Sequence, residues 1–179
     1  MEVIQVIETR RSIKSFLPKP IPEDVLLKLF DVVRYSPSGA NKNAWHFVVT
    51  REKDALTRLG ETQRFCRWLA SAPAAIAIVA DPSVTQYWLE DCSVAAYSIW
   101  LAATGLGLGV AWAAVYQSAN TEESERRQQF VRDILSIPKN LAVPMVLAVG
   151  YPDQPPAAER KKPDVKDIVH WDHYASGGA

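Results

Sequence analysis

Two arginines, a serine and a lysine sit within five positions of the stretch "TRRSIKSF" at residues 9–16: Arg10, Arg11, Ser12 and Lys14. The stretch lies between a short apolar-periodic segment and "FLPKPIP", so an extended path is expected, with side chains alternating between two faces. Arg10, Ser12 and Lys14 then share one face, while Arg11 and Ile13 take the other. Two cations flanking a hydroxyl suit a phosphate group, because arginine offers a planar fork and lysine a point charge. The same arginines could instead complement the C-terminal dipole of the preceding helix. Spacing alone leaves both readings open.

Other chemistry-bearing residues form weaker patterns. "GLGLG" at 105–109 invites a dinucleotide reading, but Val110 stands where the third glycine of that fingerprint belongs. A helix is also expected before it where the fingerprint needs a strand, so a helix C-cap and tight turn is the better account. His170 and His173 are spaced like a ligand pair, yet no nearby Glu or Cys completes a set, and they read as exposed tail histidines. His46 follows Trp45 in a strand-like run and is expected to point outward. Cys66 and Cys92 are the two cysteines, neither in a CxxC pair, and both read as small core hydrophobes. No GxSxG elbow, triad or metal cluster is present in the pattern. An enzyme built on this chain would leave the chemistry to a cofactor.

The elements that must position these residues follow from punctuation and periodicity. Val3, Ile4, Val6 and Ile7 predict an opening helix that ends near Thr9. Pro22 with Glu23 and Asp24 looks like the first turn of a second helix, buried through Val25, Leu26, Leu29, Phe30 and Val33. "SPSGAN" is a turn cluster, "WHFVVT" (45–50) a strand, and "REKDALTRLG" a helix closed by Gly60. Residues 61–72 are expected to be helical, and "AAIAIVA" (74–80) a strand buried on both faces. A long helix is expected from about Val84 to Thr104. Its second half is apolar on every side, as in helices at a protein's centre or at a subunit interface. Strands follow at 110–116 and 143–151, with an Asn120–Glu123 capping box opening a helix to about Leu135.

Bulk composition bounds the function. The 179 residues suit one domain, residues 1–151, followed by an extended Pro-rich tail, residues 152–179. Twenty basic residues balance twenty acidic ones, which argues against general nucleic-acid or membrane-surface binding, since both need a positive field. The polar N-terminus and the lack of a spanning apolar run predict a soluble, cytoplasmic protein.

Taken together, "TRRSIKSFLPKPIPEDVLLKLFDVVRYSPSGANKNAWHFVVT" resembles the N-terminal signature of the nitroreductase family of FMN-dependent oxidoreductases. "GLGLGVAW" resembles that family's glycine turn after its central helix, and "VGYPDQPP…RKKPDVKDIVHW" its closing segment. The resemblance implies an α+β fold: a central mixed or antiparallel sheet flanked by helices, with a long buried helix at a homodimer interface that holds two FMN molecules. By position, it assigns Arg10, Arg11, Ser12 and Lys14 to the phosphate and ribityl chain. It brings Pro37, Ser38 and Asn41 to the flavin ring from the partner chain, and sets Ala113 and Ala114 near the ring's reactive edge. It also assigns Gln63 to a polar ring contact, and Arg160 or Lys161 to the phosphate. Asn43 and Ala44 stand where the family usually has Gln-Pro, which alters the pocket beside the flavin.

The activity so implied passes reducing equivalents from NADH or NADPH through flavin N5 to nitroaromatic, quinone or related small-molecule acceptors. Dehydrogenase, dehalogenase and flavin-cleaving activities share the scaffold and stay open. Two alternatives of another kind are a non-catalytic flavin-binding protein and a dimeric interaction module without a cofactor.

Overall fold

The computed structural model describes residues 2–155 and 161–174. The opening helix α1 (Val3–Thr9) gives way at Arg10 to extended backbone. From there the chain runs beside a sheet margin, with Ser12 in a parallel bridge to Val110 and Phe16 in an antiparallel bridge to Pro152. The Ile13 N–H donates to the Val110 carbonyl at 3.0 Å. Pro18, Pro20 and Pro22 disfavour helix in the residues before them, and α2 (Glu23–Val33) begins directly after Pro22 with two acidic residues in its first turn.

Four strands, β1 (Trp45–Thr50), β2 (Ala74–Ala80), β3 (Gly109–Ala114) and β4 (Ala142–Gly150), form one sheet in the order β1-β2-β4-β3. Every neighbouring pair is antiparallel. In β3, Val110 lies opposite Val149 and Ala114 opposite Met145. On one face α2 and α4 (Trp88–Gly105) cover Ile76, Ile78, Val110, Leu147 and Val149. On the other, α3 (Lys53–Leu59) and α5 (Thr121–Leu135) bring Leu56, Leu59 and Val131 against Ala75, Ala77, Val79, Ala111 and Val146. Both faces are therefore dry. That explains why β2 and β4, buried along their whole length, read as unbroken apolar runs although the sheet is antiparallel.

Local signals set most element ends. The Asn120 side chain accepts from the Glu123 N–H and caps α5. α4 closes in a Schellman motif: Leu108 N–H donates to Ala103 O at 2.8 Å and Gly107 N–H to Thr104 O at 3.1 Å. Gly107 sits at φ 76, where a side chain would be strained.

Two expectations change. Residues 61–66 are turns and only Arg67–Ser71 forms a short 3-10 helix. There the Thr62 hydroxyl bonds back to Leu59 O and Gln63 reaches across to Ala114, so local helix bonds are replaced by others. α4 begins at Trp88 rather than near Val84. Asp81 accepts from both the Ser83 N–H and hydroxyl, and Thr85 accepts from the Tyr87 N–H, which spends residues 81–87 on tight turns.

Candidate functional site

The extended segment after α1 delivers its side chains to opposite sides, as alternation requires. Arg11 and Ile13 line one hollow of about 250 Å³ together with Thr104, Leu108 and Pro152. Arg11 there donates to the carbonyls of Glu8 and Arg10, at the C-terminal end of α1. Arg10 turns the other way and lays its guanidinium over the Trp100 ring of α4, 4.2 Å from the centroid. Its Nε is buried and has no hydrogen-bond partner. A buried cationic N–H without an acceptor is costly, and an anionic oxygen beside it would remove that cost.

Ser12 and Lys14 are exposed further along the same segment. The segment meets β3 at its start, with Ser12 bridging Val110, and then passes to Pro152 just beyond β4, where Phe16 makes its bridge. Ala113 is buried, and Ala114 ends the strand exposed. Lys14 lies close enough to Cys66 to draw its pKa down, although burial dominates and pushes the thiol up.

Gln63 is the hub of this end. Its Nε2 donates to the Ala114 carbonyl at 2.8 Å, and its Oε1 accepts from Arg127 at 3.0 Å. A carbonyl only accepts and a guanidinium only donates, so the amide has one satisfactory orientation. Arg127 is in turn fixed by Glu123 at 2.8 Å. Hydrogen bonds from Arg126 and Arg127 hold the Glu123 carboxyl down to about 2. An open hollow of about 360 Å³ adjoins Ala114, with Trp112, Tyr116, Met145 and Leu89 in its walls. Trp112 also packs 6.3 Å from Trp100, ring to ring.

Pro37, Ser38 and Asn41 occupy a separate place. Pro37 and Asn41 are exposed and Ser38 half-buried, on a turn that docks on the first turn of α4 through Gly39 N–H and Asp91 Oδ1, 2.9 Å apart. Arg10 meets the same helix at Trp100. From Asp91 to Trp100 is about 14 Å of helix rise, so within one chain the cationic segment and this turn anchor to α4 at well-separated levels. Asn43 stands at φ 50.

Lys161 is exposed, and Arg160 lies outside the described residues. His46 is exposed on β1, both cysteines are buried, and no metal-binding group of His, Cys, Asp or Glu occurs among the described residues. Burial and the neighbouring Asp91 charge push the Cys92 thiol up to about 12. Sequence reasoning missed Trp100, Arg127 and Asp91. Their partners Arg10, Gln63 and Gly39 lie far off along the chain, and a tryptophan, arginine or aspartate in a helix carries no mark of such a partner.

A family model described as the nitroreductase family matches residues 7–64 and 62–151. The chain belongs to the nitroreductase family. An Archaeoglobus fulgidus relative, provisionally named NADH dehydrogenase/NAD(P)H nitroreductase, is 36% identical over 95% of this chain and 99% of its own. A Bacteroides thetaiotaomicron crystal structure with the same provisional name superposes with TM-score 0.87 at 29% identity, covering 96% of this chain and 98% of that one. An FMN-dependent nitroreductase from Clostridium difficile gives TM-score 0.83 at 28% identity, covering 96% and 99%. The α+β architecture with its antiparallel sheet is thus the nitroreductase fold.

Proposed function

We propose that the protein is an FMN-dependent NAD(P)H oxidoreductase, working as a homodimer, with nitroaromatic, quinone or related compounds as acceptors. The observation that carries this reading is the strip of Arg10, Ser12 and Lys14, two cations and a hydroxyl able to donate. It includes one buried, unpartnered Arg10 Nε and meets the sheet at the start of β3, where Ser12 bridges Val110. Such a donor set fits an FMN phosphate, which carries nearly two negative charges at neutral pH. The family's relatives bearing NAD(P)H and FMN names point the same way.

When bound, FMN would supply hydride acceptance and release at N5. The protein's part is to hold and shape. Arg10 and Lys14 offset the phosphate charge, with Arg160 or Lys161 of the closing segment as a further cation. The Gln63–Arg127 pair holds the end of β3 in one conformation, so the Ala114 backbone is presented without rearrangement. Pro37, Ser38 and Asn41 serve the site of the partner chain, which accords with their separation from Arg10 along α4.

Apolar surface supports the dimer. Val94 and Tyr97 of α4, Val32 and Tyr35 at the end of α2, and Val165, Ile168 and Trp171 in the tail are all exposed in the single chain. A partner chain would cover exposed apolar side chains of this kind. We assign residues 1–151 to the FMN-binding domain and residues 152–179 to a tail that completes the fold or contacts the partner.

The test is to purify the protein and identify its released flavin. A yellow protein with FMN, bleached by NADH or NADPH without oxygen and recoloured by a quinone, is expected. A colourless protein that does not take up FMN would refute the reading, and bound flavin that no nicotinamide reduces would leave a carrier.

A further inference from the structure

Asp91 is a charged residue in the dry interior, 5% exposed on the first turn of α4. Its Oδ1 accepts the Gly39 N–H at 2.9 Å, and its Oδ2 is buried with no hydrogen-bond partner. Half a carboxylate left unsatisfied in the interior is costly. The helix dipole offsets part of that cost, since the first turn of a helix favours negative charge. What Asp91 provides in return is a charge-assisted acceptor for one backbone N–H, a stronger bond than a neutral group would give.

That N–H belongs to a turn under strain. Ala40, Asn41 and Asn43 all stand in the left-handed region, at φ 50, 55 and 50. Residues of this kind persist only where their surroundings over-determine them. Three contacts tie the turn to the segment that leads into α4. Besides the Asp91 bond, Lys42 Nζ donates to Val84 O at 2.8 Å. Gly39 also lies so close to Tyr87 that an added Cβ would come within 2.7 Å of its ring. Tyr87 and Lys42 are exposed at this place, which leaves the part-buried Asp91 bond as the most sheltered member of the set. On the inner side of the turn, Ser38 Oγ accepts the Asn43 N–H at 3.0 Å and donates to Asn43 Oδ1 at 3.0 Å.

We propose that Asp91 is a positioning residue: through Gly39 it holds the strained 37–43 turn in the shape that meets the cofactor bound by the partner chain. This rests on the functional reading above, in which Pro37, Ser38 and Asn41 serve the partner's site. Asp91 touches neither cofactor nor substrate. Its effect is therefore felt in the partner's site and not in the site built on its own Arg10.

The experiment uses the full-length dimer and FMN titration. Asp91→Ala is expected to raise the FMN Kd about tenfold, the cost of losing one charge-assisted contact. Asp91→Asn keeps an oxygen for the Gly39 N–H and is expected to recover most of that loss. A purely structural aspartate would show a drop in melting temperature in both variants with no such recovery of affinity. The deciding sample is a mixed dimer, one chain carrying Arg10→Ala and the other Asp91→Ala, isolated with two different tags. One site of native affinity and one doubly weakened site is the expected outcome. Two singly weakened sites would overturn the proposal, as would an unchanged Kd in Asp91→Ala or a collapse of the fold in that variant. The functional reading fails separately, through wild-type protein that binds no FMN or an Arg10→Ala homodimer that binds it as well as wild type.

Discussion

Arg10 is held in place before any ligand arrives, and this makes the effect of its removal unusual. In Arg10→Ala without cofactor, the cation–π contact with Trp100 disappears, a loss of about 0.5–2 kcal/mol. The same change removes a buried, unpartnered Nε, which relieves about 1–3 kcal/mol. The two oppose each other, so the melting temperature of the cofactor-free variant should stay close to that of the wild type or rise slightly. FMN binding has no such compensation. A charge-assisted hydrogen bond of about 1.5–3 kcal/mol is lost, which corresponds to a Kd raised about 10- to 150-fold. Arg10→Lys keeps the charge but loses the planar fork and the stacked geometry, so it should fall between the two. The assay is fluorescence titration of FMN beside thermal melting of the cofactor-free proteins. An unchanged Kd in Arg10→Ala would place the phosphate elsewhere. A large fall in cofactor-free stability with little change in affinity would show that Arg10 serves packing and refute the reasoning.

Three further outcomes are expected. FMN at a thousand times its Kd should stabilise the dimer by about 4 kcal/mol and keep it associated on dilution. Melting curves and sizing that do not respond to FMN would show that the cofactor site does not need both chains. Gln63→Leu removes the donor to Ala114 O and the acceptor for Arg127, so stability should fall by about 1–3 kcal/mol; a denaturant midpoint equal to wild type would show that the hub is dispensable. Glu123 is held at about 2 against an ordinary 4.5, so the unfolded chain takes up its proton first as pH falls. Its stabilising contribution is present above about 4.5 and declines toward 2. Melting temperature measured across that window should therefore fall less steeply in Glu123→Gln than in the wild type, and identical slopes would contradict the assignment.

What the amino-acid order determines here is mostly local. Pro22 with Glu23 starts α2, Asn120 with Glu123 caps α5, and "GLGLG" closes α4, because each signal acts through backbone groups a few residues away. The apolar run of β2 announced a strand buried on both faces, and that of β4 announced a strand. The alternation in "RRSIK" already separated Arg10 from Arg11, and the structure sends them to different surroundings. The resemblance of "TRRSIK", "SPSGAN" and "GLGLGVAW" to the nitroreductase signature reached the family before any coordinates.

Tertiary structure alone decided the strand order, the pairing of Arg10 with Trp100, the Gln63 link between Ala114 and Arg127, and the bond from Asp91 to Gly39. Each of these contacts joins residues some fifty or more positions apart, where neither helical nor strand periodicity carries information. The misread segment after Gly60 follows from the same cause. Gln63 has helix-compatible neighbours, but its amide makes its bonds to β3 and α5, and a propensity summed along the chain cannot register partners that arrive only when the sheet closes.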